Sequence, residues 1–268
     1  MANENTAESA EKFPVIRSDR DGICELMLND PAKYNTLSTE ALDSMGATLA
    51  DIALDKTVRV VVVAARGKAF CSGHNLKQMR ANHGEAYYQK LLADCSSMMQ
   101  DIVSLPQPVI AKVQGIATAA GCQLVASCDL AIAGRSARFA TNGINNGLFC
   151  ATPAVAVGRT VARKHALEML LTGEFIDADR AASIGLINYA VDDADLDAAV
   201  EKLAQDLSRK SQYAVRLGKA SFQRQIDQPL DAAYRSASND LVCNLLSDDG
   251  IEGVDAFIEK REPHWNNE

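Results

Sequence analysis

Two segments of this chain place small residues where main-chain amides can be turned toward a ligand. Residues 69–77 read Ala-Phe-Cys-Ser-Gly-His-Asn-Leu-Lys, and residues 115–124 read Gly-Ile-Ala-Thr-Ala-Ala-Gly-Cys-Gln-Leu. Each leads into a helical pattern. The first N–H groups of a helix have no acceptor within it, and the helix dipole favours negative charge beside them. Two such amides meeting on one oxygen would hold an oxyanion. They cannot ionise and they need little reorganisation; losing one such donor typically costs about 3–4 kcal/mol in a site poor in water.

Side chains able to move protons are scarce in these segments and in the Asn- and Gly-rich stretch at 139–153. His74, Cys122, Gln123, Asn142, Asn145, Asn146 and Cys150 are polar, yet none is a carboxylate, and Gly143 has no side chain. An amide such as Gln123 orients water but does not take its proton near neutral pH. The asparagines are expected to stitch the backbone of their own loop. Cys150 reads as a small buried apolar residue, because no cationic partner is evident that would make it a thiolate.

The elements that must carry these segments follow from periodicity. Residues 13–18 and 23–29 predict two strands joined by a turn at 19–22 that ends in Asp-Gly. Ser38 is a candidate N-cap for a helix running to about residue 55, with Glu40 and Asp43 following it. Residues 58–65 are an almost unbroken β-branched run, as in a strand covered on both faces. Residues 67–73 predict loop, with helix resuming after His74, and 85–104 predict a helix stopped by Pro106 and Pro108. Residues 108–113 and 130–133 predict strands, 121–127 a short buried helix, and the Asn- and Gly-rich stretch 139–153 an irregular loop. From residue 163 the pattern is mostly helical. Leu196, Ala199, Val200, Leu203 and Leu207 share one helical face, and Leu230, Ala233, Ala237, Leu241 and Leu245 share another. The expectation is an α/β core over residues 12–194, a helical region over 195–268 and a disordered tail over 1–11.

Composition narrows the partners. The chain has 268 residues, 47% hydrophobic and 23% charged, with a formal net charge of −8, as in an ordinary globular protein that can bury a sizeable core. No Lys/Arg cluster tracks a phosphate backbone, so nucleic acid is not an expected partner. An anionic ligand must be held locally against the overall field. Seven scattered cysteines without a Cys-x-x-Cys pair suggest neither zinc nor a disulfide framework, and fit a reducing compartment. His74, His83, His165 and His264 show no metal-ligand spacing. No apolar run is long enough for a bilayer. Three glutamates precede the first basic residue, which opposes both a secretory signal and an Arg-rich presequence and points to the cytoplasm.

Four segments, in order along nearly the whole chain, resemble one known family. They are Asn-Asp-Pro-Ala-Lys-Tyr-Asn-Thr-Leu-Ser at 29–38, the two segments above with the second continuing to Ala-Ser-Cys-Asp at 129, and Asp-Gly-Ile-Glu-Gly-Val-Asp-Ala-Phe-Ile-Glu-Lys-Arg-Glu-Pro at 249–263. They are similar to the signatures of the enoyl-CoA hydratase/isomerase (crotonase) family. Gly-Leu-Phe-Cys-Ala-Thr-Pro at 147–153 resembles a narrower branch, the enoyl-CoA hydratase domain-containing protein 3 group.

The resemblance implies a spiral of strand–strand–helix turns with a C-terminal helical trimerisation region, assembled as a trimer or a pair of trimers. It assigns the oxyanion donors to the N–H groups of His74 and Ala120, acting on a thioester oxygen; this backbone role asks nothing of the His74 imidazole. Ala120 stands where most relatives have glycine, and its methyl narrows the approach unless φ stays negative. Gln123 and Gly143 fall at the positions of the two glutamates that hydratases use, and Ala151 at that of an aspartate in some dienoyl isomerases and dehalogenases. Gly73, Lys33, Asn75, Leu76 and Cys150 are implied to line the substrate. Phe257 and Lys260 match C-terminal residues that meet CoA, often from a neighbouring subunit. Coenzyme A enters only as part of the substrate, with no other cofactor and no metal. The expected function is an acyl-CoA thioester enzyme of fatty-acid or acyl-CoA metabolism that lacks the usual acids. The alternatives are a catalytically silent acyl-CoA binder, and a malonyl-type decarboxylase that would need the oxyanion hole but no strong base.

Overall fold

The computed structural model describes residues 13–266; the expected tail at 1–11 lies outside the described residues. Strand β3 (Val60–Ala65) is buried at every residue and forms the middle of the main sheet. Its six strands run in the order β1 (Val15–Arg20), β2 (Ile23–Leu28), β3, β5 (Val109–Val113), β7 (Leu130–Gly134) and β10 (Tyr189–Val191). β1 and β2 form an antiparallel hairpin, and every other neighbour pair is parallel. A central parallel strand needs cover on both faces, and the alternation of β3 shows how that is met. Val61 and Val63 join the large core with Phe70, Leu124 and Phe139. Val60 and Val62 face the other way and pack with Ile110 and Ile132 against Leu196, Val200 and Ala204.

A second sheet of four short strands, in the order β4 (Ala69–Cys71), β6 (Ile116–Thr118), β8 (Arg138–Ala140) and β9 (Ile176–Asp177), lies apart from the first. The chain visits the two sheets alternately, β3 then β4, β5 then β6, β7 then β8, with helix after each pair. This is the strand–strand–helix spiral, and hydrophobic periodicity could not show it because three-residue strands carry too little pattern.

Helix α1 (Thr39–Leu54) begins as expected, with the Ser38 side chain accepting the Ala41 N–H. Two expectations need correction. Residues 67–73 are not all loop, since β4 lies within them. The stretch 139–153 holds the end of β8, a 3₁₀ turn over Asn142–Asn146 and the start of helix α5 (Ala151–Thr160). Pro153 sits in the first turn of α5, where its missing N–H has no intrahelical role, so it does not end the segment as loop. The region beyond 163 is mostly helical as expected, with the short strands β9 and β10 between its helices.

The helices after residue 195 divide in their packing. α8 (Leu196–Ser208) covers the outer face of the main sheet. α9 (Gln212–Gln225), α10 (Leu230–Leu245) and α11 (Asp248–Glu259) pack largely on one another. A buried ion pair ties this layer to the core: Lys219 on α9 donates to Asp129 Oδ2 at 2.6 Å and to the carbonyls of Ile102 and Gln107 at 3.1 Å.

Candidate active site

The two amide-presenting segments are brought together by the second sheet. β4 and β6 pair in parallel, with Ala69 opposite Ile116 and Cys71 opposite Ala117. Residues leaving the C-terminal ends of adjacent parallel strands emerge side by side, where open α/β sheets place their ligands. Gly73 is two residues beyond Cys71, and Ala119 is two beyond Ala117. A Cβ built on Gly73 would lie 3.0 Å from the Ala119 methyl, 3.1 Å from the Thr118 carbonyl and 3.2 Å from the Ala120 nitrogen. The segments are therefore in contact at the residues whose amides matter.

Each segment is shaped by local backbone constraint. Gly73 has φ +84°, a region that glycine enters freely, and burial keeps the neighbouring Cys71 a thiol, its pKa pushed up to about 12. Across from it, Ala119 holds φ +51° and ψ −118° ahead of helix α4 (Ala120–Ser127), and its N–H donates to the Ala140 carbonyl at 2.9 Å. Positive φ at alanine is strained by about 1–3 kcal/mol and persists only where surroundings enforce it. The strain thus sits at Ala119, whereas Ala120 has no positive φ, the condition under which its methyl need not narrow the approach. Gly121 permits the close approach, because a Cβ there would lie 2.1 Å from the Cys71 carbonyl oxygen. Sequence reasoning missed both the Ala119 turn and the packing role of Gly121; the run of small residues from Ala117 to Gly121 was their only trace.

Neither the His74 N–H nor the Ala120 N–H has an acceptor among the described residues. Ala120 is 1% exposed and begins α4. His74 pairs with Leu37 as an isolated parallel bridge, and the Leu37 N–H donates to the Gly73 carbonyl at 2.8 Å. Its imidazole Nδ1 lies 3.3 Å from the Leu37 carbonyl oxygen. Burial lowers the His74 pKa, and that carbonyl partly offsets it.

The positions expected to lack acids are closed to them in different ways. Gln123 is 4% exposed on α4, one turn beyond Ala120, with Oε1 buried and unpartnered. Gly143 lies in the 3₁₀ turn, where a Cβ would sit 2.5 Å from the Leu148 carbonyl and 2.8 Å from Cys150 Sγ. Any side chain at 143 therefore requires this loop to move. Burial raises the Cys150 thiol pKa, and the Gly143 N–H lowers it in part; Cys122 is pushed up to about 12 by burial. Both are thiols at neutral pH, not nucleophilic thiolates.

The remaining expected site residues scatter more widely. The Asn75 side chain caps α2 (Leu76–Ala81) by accepting the Gln78 N–H at 3.1 Å, and Leu76 is exposed. Lys33 is exposed and bridges Asp30 at 3.0 Å. Phe257 is 84% exposed on α11, and Lys260 ends that helix in the left-handed conformation. The main packing partners of α11 within the chain are α9 and α10, so one chain does not assemble these two residues with the amide pair. A hollow of about 710 Å³ on the far face of the main sheet is lined by Arg20, Glu25, Lys112, Asp197 and Glu201. Its cations are already paired, Lys112 with Glu25 and Asp197, Arg20 with Glu201, and it is not the site of the amide pair.

Residues 18–268 match the enoyl-CoA hydratase/isomerase family. The chain belongs to that family. It is 45% identical over 260 residues to the enoyl-CoA hydratase domain-containing protein 3, mitochondrial, of Mus musculus, covering 96% of this chain and 87% of that protein. The Homo sapiens protein of the same name is 43% identical over 259 residues, covering 97% and 86%. Among solved structures, a Mycobacterium smegmatis enoyl-CoA hydratase superposes with a TM-score of 0.93 at 49% identity, covering 95% of this chain and 99% of that one. The human domain-containing protein 3 gives a TM-score of 0.92 at 44% identity, covering 94% and 100%. The crotonase fold with its C-terminal helices is shared throughout. No helix among the described residues is long and apolar enough to cross a membrane.

Proposed function

We propose that this protein binds acyl-CoA thioesters and holds the thioester oxygen, as it gains enolate charge, between the main-chain amides of His74 and Ala120. The observation that carries this reading is the contact of Gly73 with Thr118–Ala120, which sets two acceptorless amides on one junction. Such donors stabilise charge that develops during reaction more than charge already present. Two-glutamate hydration is not part of the reading. Gln123 and Gly143 stand where that chemistry would need acids, and neither can cycle a proton.

CoA would be held by groups that do not converge in a single chain. Lys33 is exposed at the surface, where a CoA phosphate would compete with its bridge to Asp30, and Phe257 and Lys260 stand on α11, where a neighbouring subunit could receive them. A trimer or a pair of trimers therefore belongs to the proposal. The free cysteines fit a reducing compartment, the cytoplasm in our reading; subcellular fractionation against the mitochondrial placement named for the mouse and human relatives tests it. Calorimetry with butyryl-CoA and crotonyl-CoA, followed by mass spectrometry of each thioester after incubation, tests the function. Micromolar binding is expected, with no hydration of crotonyl-CoA above the uncatalysed rate. Absence of thioester binding would overturn the reading. The crowding at Gly143 favours a second one, a silent acyl-CoA binder, which binding without any mass change or isotope exchange would select.

A further inference from the structure

Among the described residues, six buried side-chain polar atoms have no hydrogen-bond partner: Thr36 Oγ1, His74 Nε2, Tyr87 OH, Gln107 Oε1, Gln123 Oε1 and Thr141 Oγ1. Folded proteins satisfy the large majority of such atoms, so each exception calls for a partner from solvent or from a ligand. Three of the six belong to residues at or next to the elements that form the amide junction. His74 follows Gly73, Gln123 lies one turn into α4, and Thr141 follows Ala140, whose carbonyl holds the Ala119 N–H.

His74 alone of these three titrates near neutral pH. The Leu37 carbonyl beside Nδ1 can only accept, so Nδ1 carries the proton and Nε2 presents a bare lone pair. Burial favours the neutral ring, and no charged side chain contributes to its titration. Glu40 on α1 is tied to Gln78, Lys77 and Arg80 on α2 are exposed, and Cys71 is held protonated by burial. A neutral imidazole oriented through one nitrogen and unpartnered at the other is a general base in waiting.

We propose that His74 Nε2 takes a proton from the α-carbon of the bound thioester. This rests on the proposed function above and supplies the base that its two missing carboxylates do not. The Cα–H bond breaks, a new N–H bond forms at Nε2, and the electron pair moves into an enolate whose oxygen is held by the His74 and Ala120 amides. Reversal returns a proton, or a deuteron from solvent, to the α-carbon, and no co-reactant is consumed. One residue thus provides a main-chain donor and a side-chain base. The substrates are thioesters with a removable α-proton, saturated chains included, and the elementary activity is α-hydrogen exchange.

The test is incubation of the full chain with saturating butyryl-CoA in D₂O, read by mass spectrometry, so that changes in affinity drop out. The wild type is expected to incorporate deuterium. His74→Asn and His74→Gln keep the main-chain amide and a side-chain NH₂ for the Leu37 carbonyl; each should slow exchange about 100-fold or more. The wild-type rate should fall as pH drops through the lowered His74 pKa, because the base form is required, while the variants' profiles stay flat. Variants exchanging at the wild-type rate, or a pH-independent wild type, would overturn the assignment whether or not either variant is destabilised. Butyryl-CoA binding without exchange would overturn this inference and leave thioester binding standing as the silent-binder reading; no binding would overturn the proposed function with it.

Discussion

At the scale of single residues, the site is built from places where a side chain is absent. Gly121 allows α4 to start against the Cys71 carbonyl, and its missing Cβ would lie 2.1 Å from that oxygen. Backbone on both sides leaves nothing flexible to yield. Gly121→Ala is expected to destabilise the fold by about 3 kcal/mol and to lower thioester affinity, measured by urea unfolding and calorimetry; an alanine variant of wild-type stability would remove the close-approach argument. Gly143 is similar in kind, with Leu148 and Cys150 occupying the space of any Cβ. Introducing acids with Gln123→Glu and Gly143→Glu therefore should not create a hydratase. The carboxyl at 123 would be buried without a partner and held protonated, and the one at 143 would displace its own loop. The doubly substituted chain should lose about 1–3 kcal/mol and still leave crotonyl-CoA unhydrated in an ultraviolet absorbance assay of its conjugated double bond. Robust hydration would show that residue identity, not loop shape, is what keeps this chain from two-glutamate chemistry.

At the scale of elements, stability rests on a few polar ties between helices and sheet. Lys219, with 9% side-chain exposure, spans from α9 to Asp129 and two carbonyls. Lys219→Met removes one partner of a buried pair and leaves a carboxylate that burial already pushes upward in pKa; a loss of about 3–5 kcal/mol is expected, read by denaturant unfolding. Asp55, which ends α1, binds Arg17 of β1 at 2.6 Å and Thr57, and its pKa is lowered to about 2, with the Thr57 hydroxyl the leading cause and Arg17 the next. Its folded value lies below the unfolded value near 4. It therefore contributes stability above pH 4 that is lost as pH falls toward 2, and Asp55→Asn should flatten that part of the pH–stability curve in thermal melts. These ties also mark what the sequence could show. The β-branched run at 58–65 and the Ser38 cap announce β3 and α1 because each is a local pattern. β4, β6 and β8 are three residues long, and their pairing joins positions about 20–50 residues apart, so no window contains it. The convergence of Gly73 and Ala119 depends on that pairing; motif resemblance could name His74 and Ala120, but the strained turn at Ala119 and the buried orphan at Thr141 needed coordinates.

At the scale of the whole molecule, the C-terminal layer is unfinished within one chain. Leu230, Tyr234, Leu241 and Leu245 fall within about 60° of one another on α10 at 100° per residue, yet each is at least 52% exposed, and only Ala233 of the apolar face expected there is buried. Leu246 at 74% on the following turn, with Phe257 at 84% and Ile258 at 69% on α11 and its end, extends the exposed apolar surface. Monomeric proteins rarely leave so many large apolar side chains together in water, while homo-oligomer interfaces are built from such surfaces. Contrast α8, whose apolar face is sealed against Val60, Val62, Ile110 and Ile132; periodicity gave the two helices the same reading, and only the fold tells a face turned inward from one left open. Replacing Leu241 and Leu245 by glutamate places two charges in the middle of the open stripe without touching the spiral core. Sedimentation velocity is expected to show the wild type as a trimer or larger and the double variant as a monomer with unchanged far-ultraviolet circular dichroism. Because Phe257 and Lys260 sit on the neighbouring α11, the same variant should bind butyryl-CoA at least 10-fold more weakly if a partner subunit completes the CoA site. A wild type that sediments as a monomer at micromolar concentration would break the link between the open helical face and the ligand.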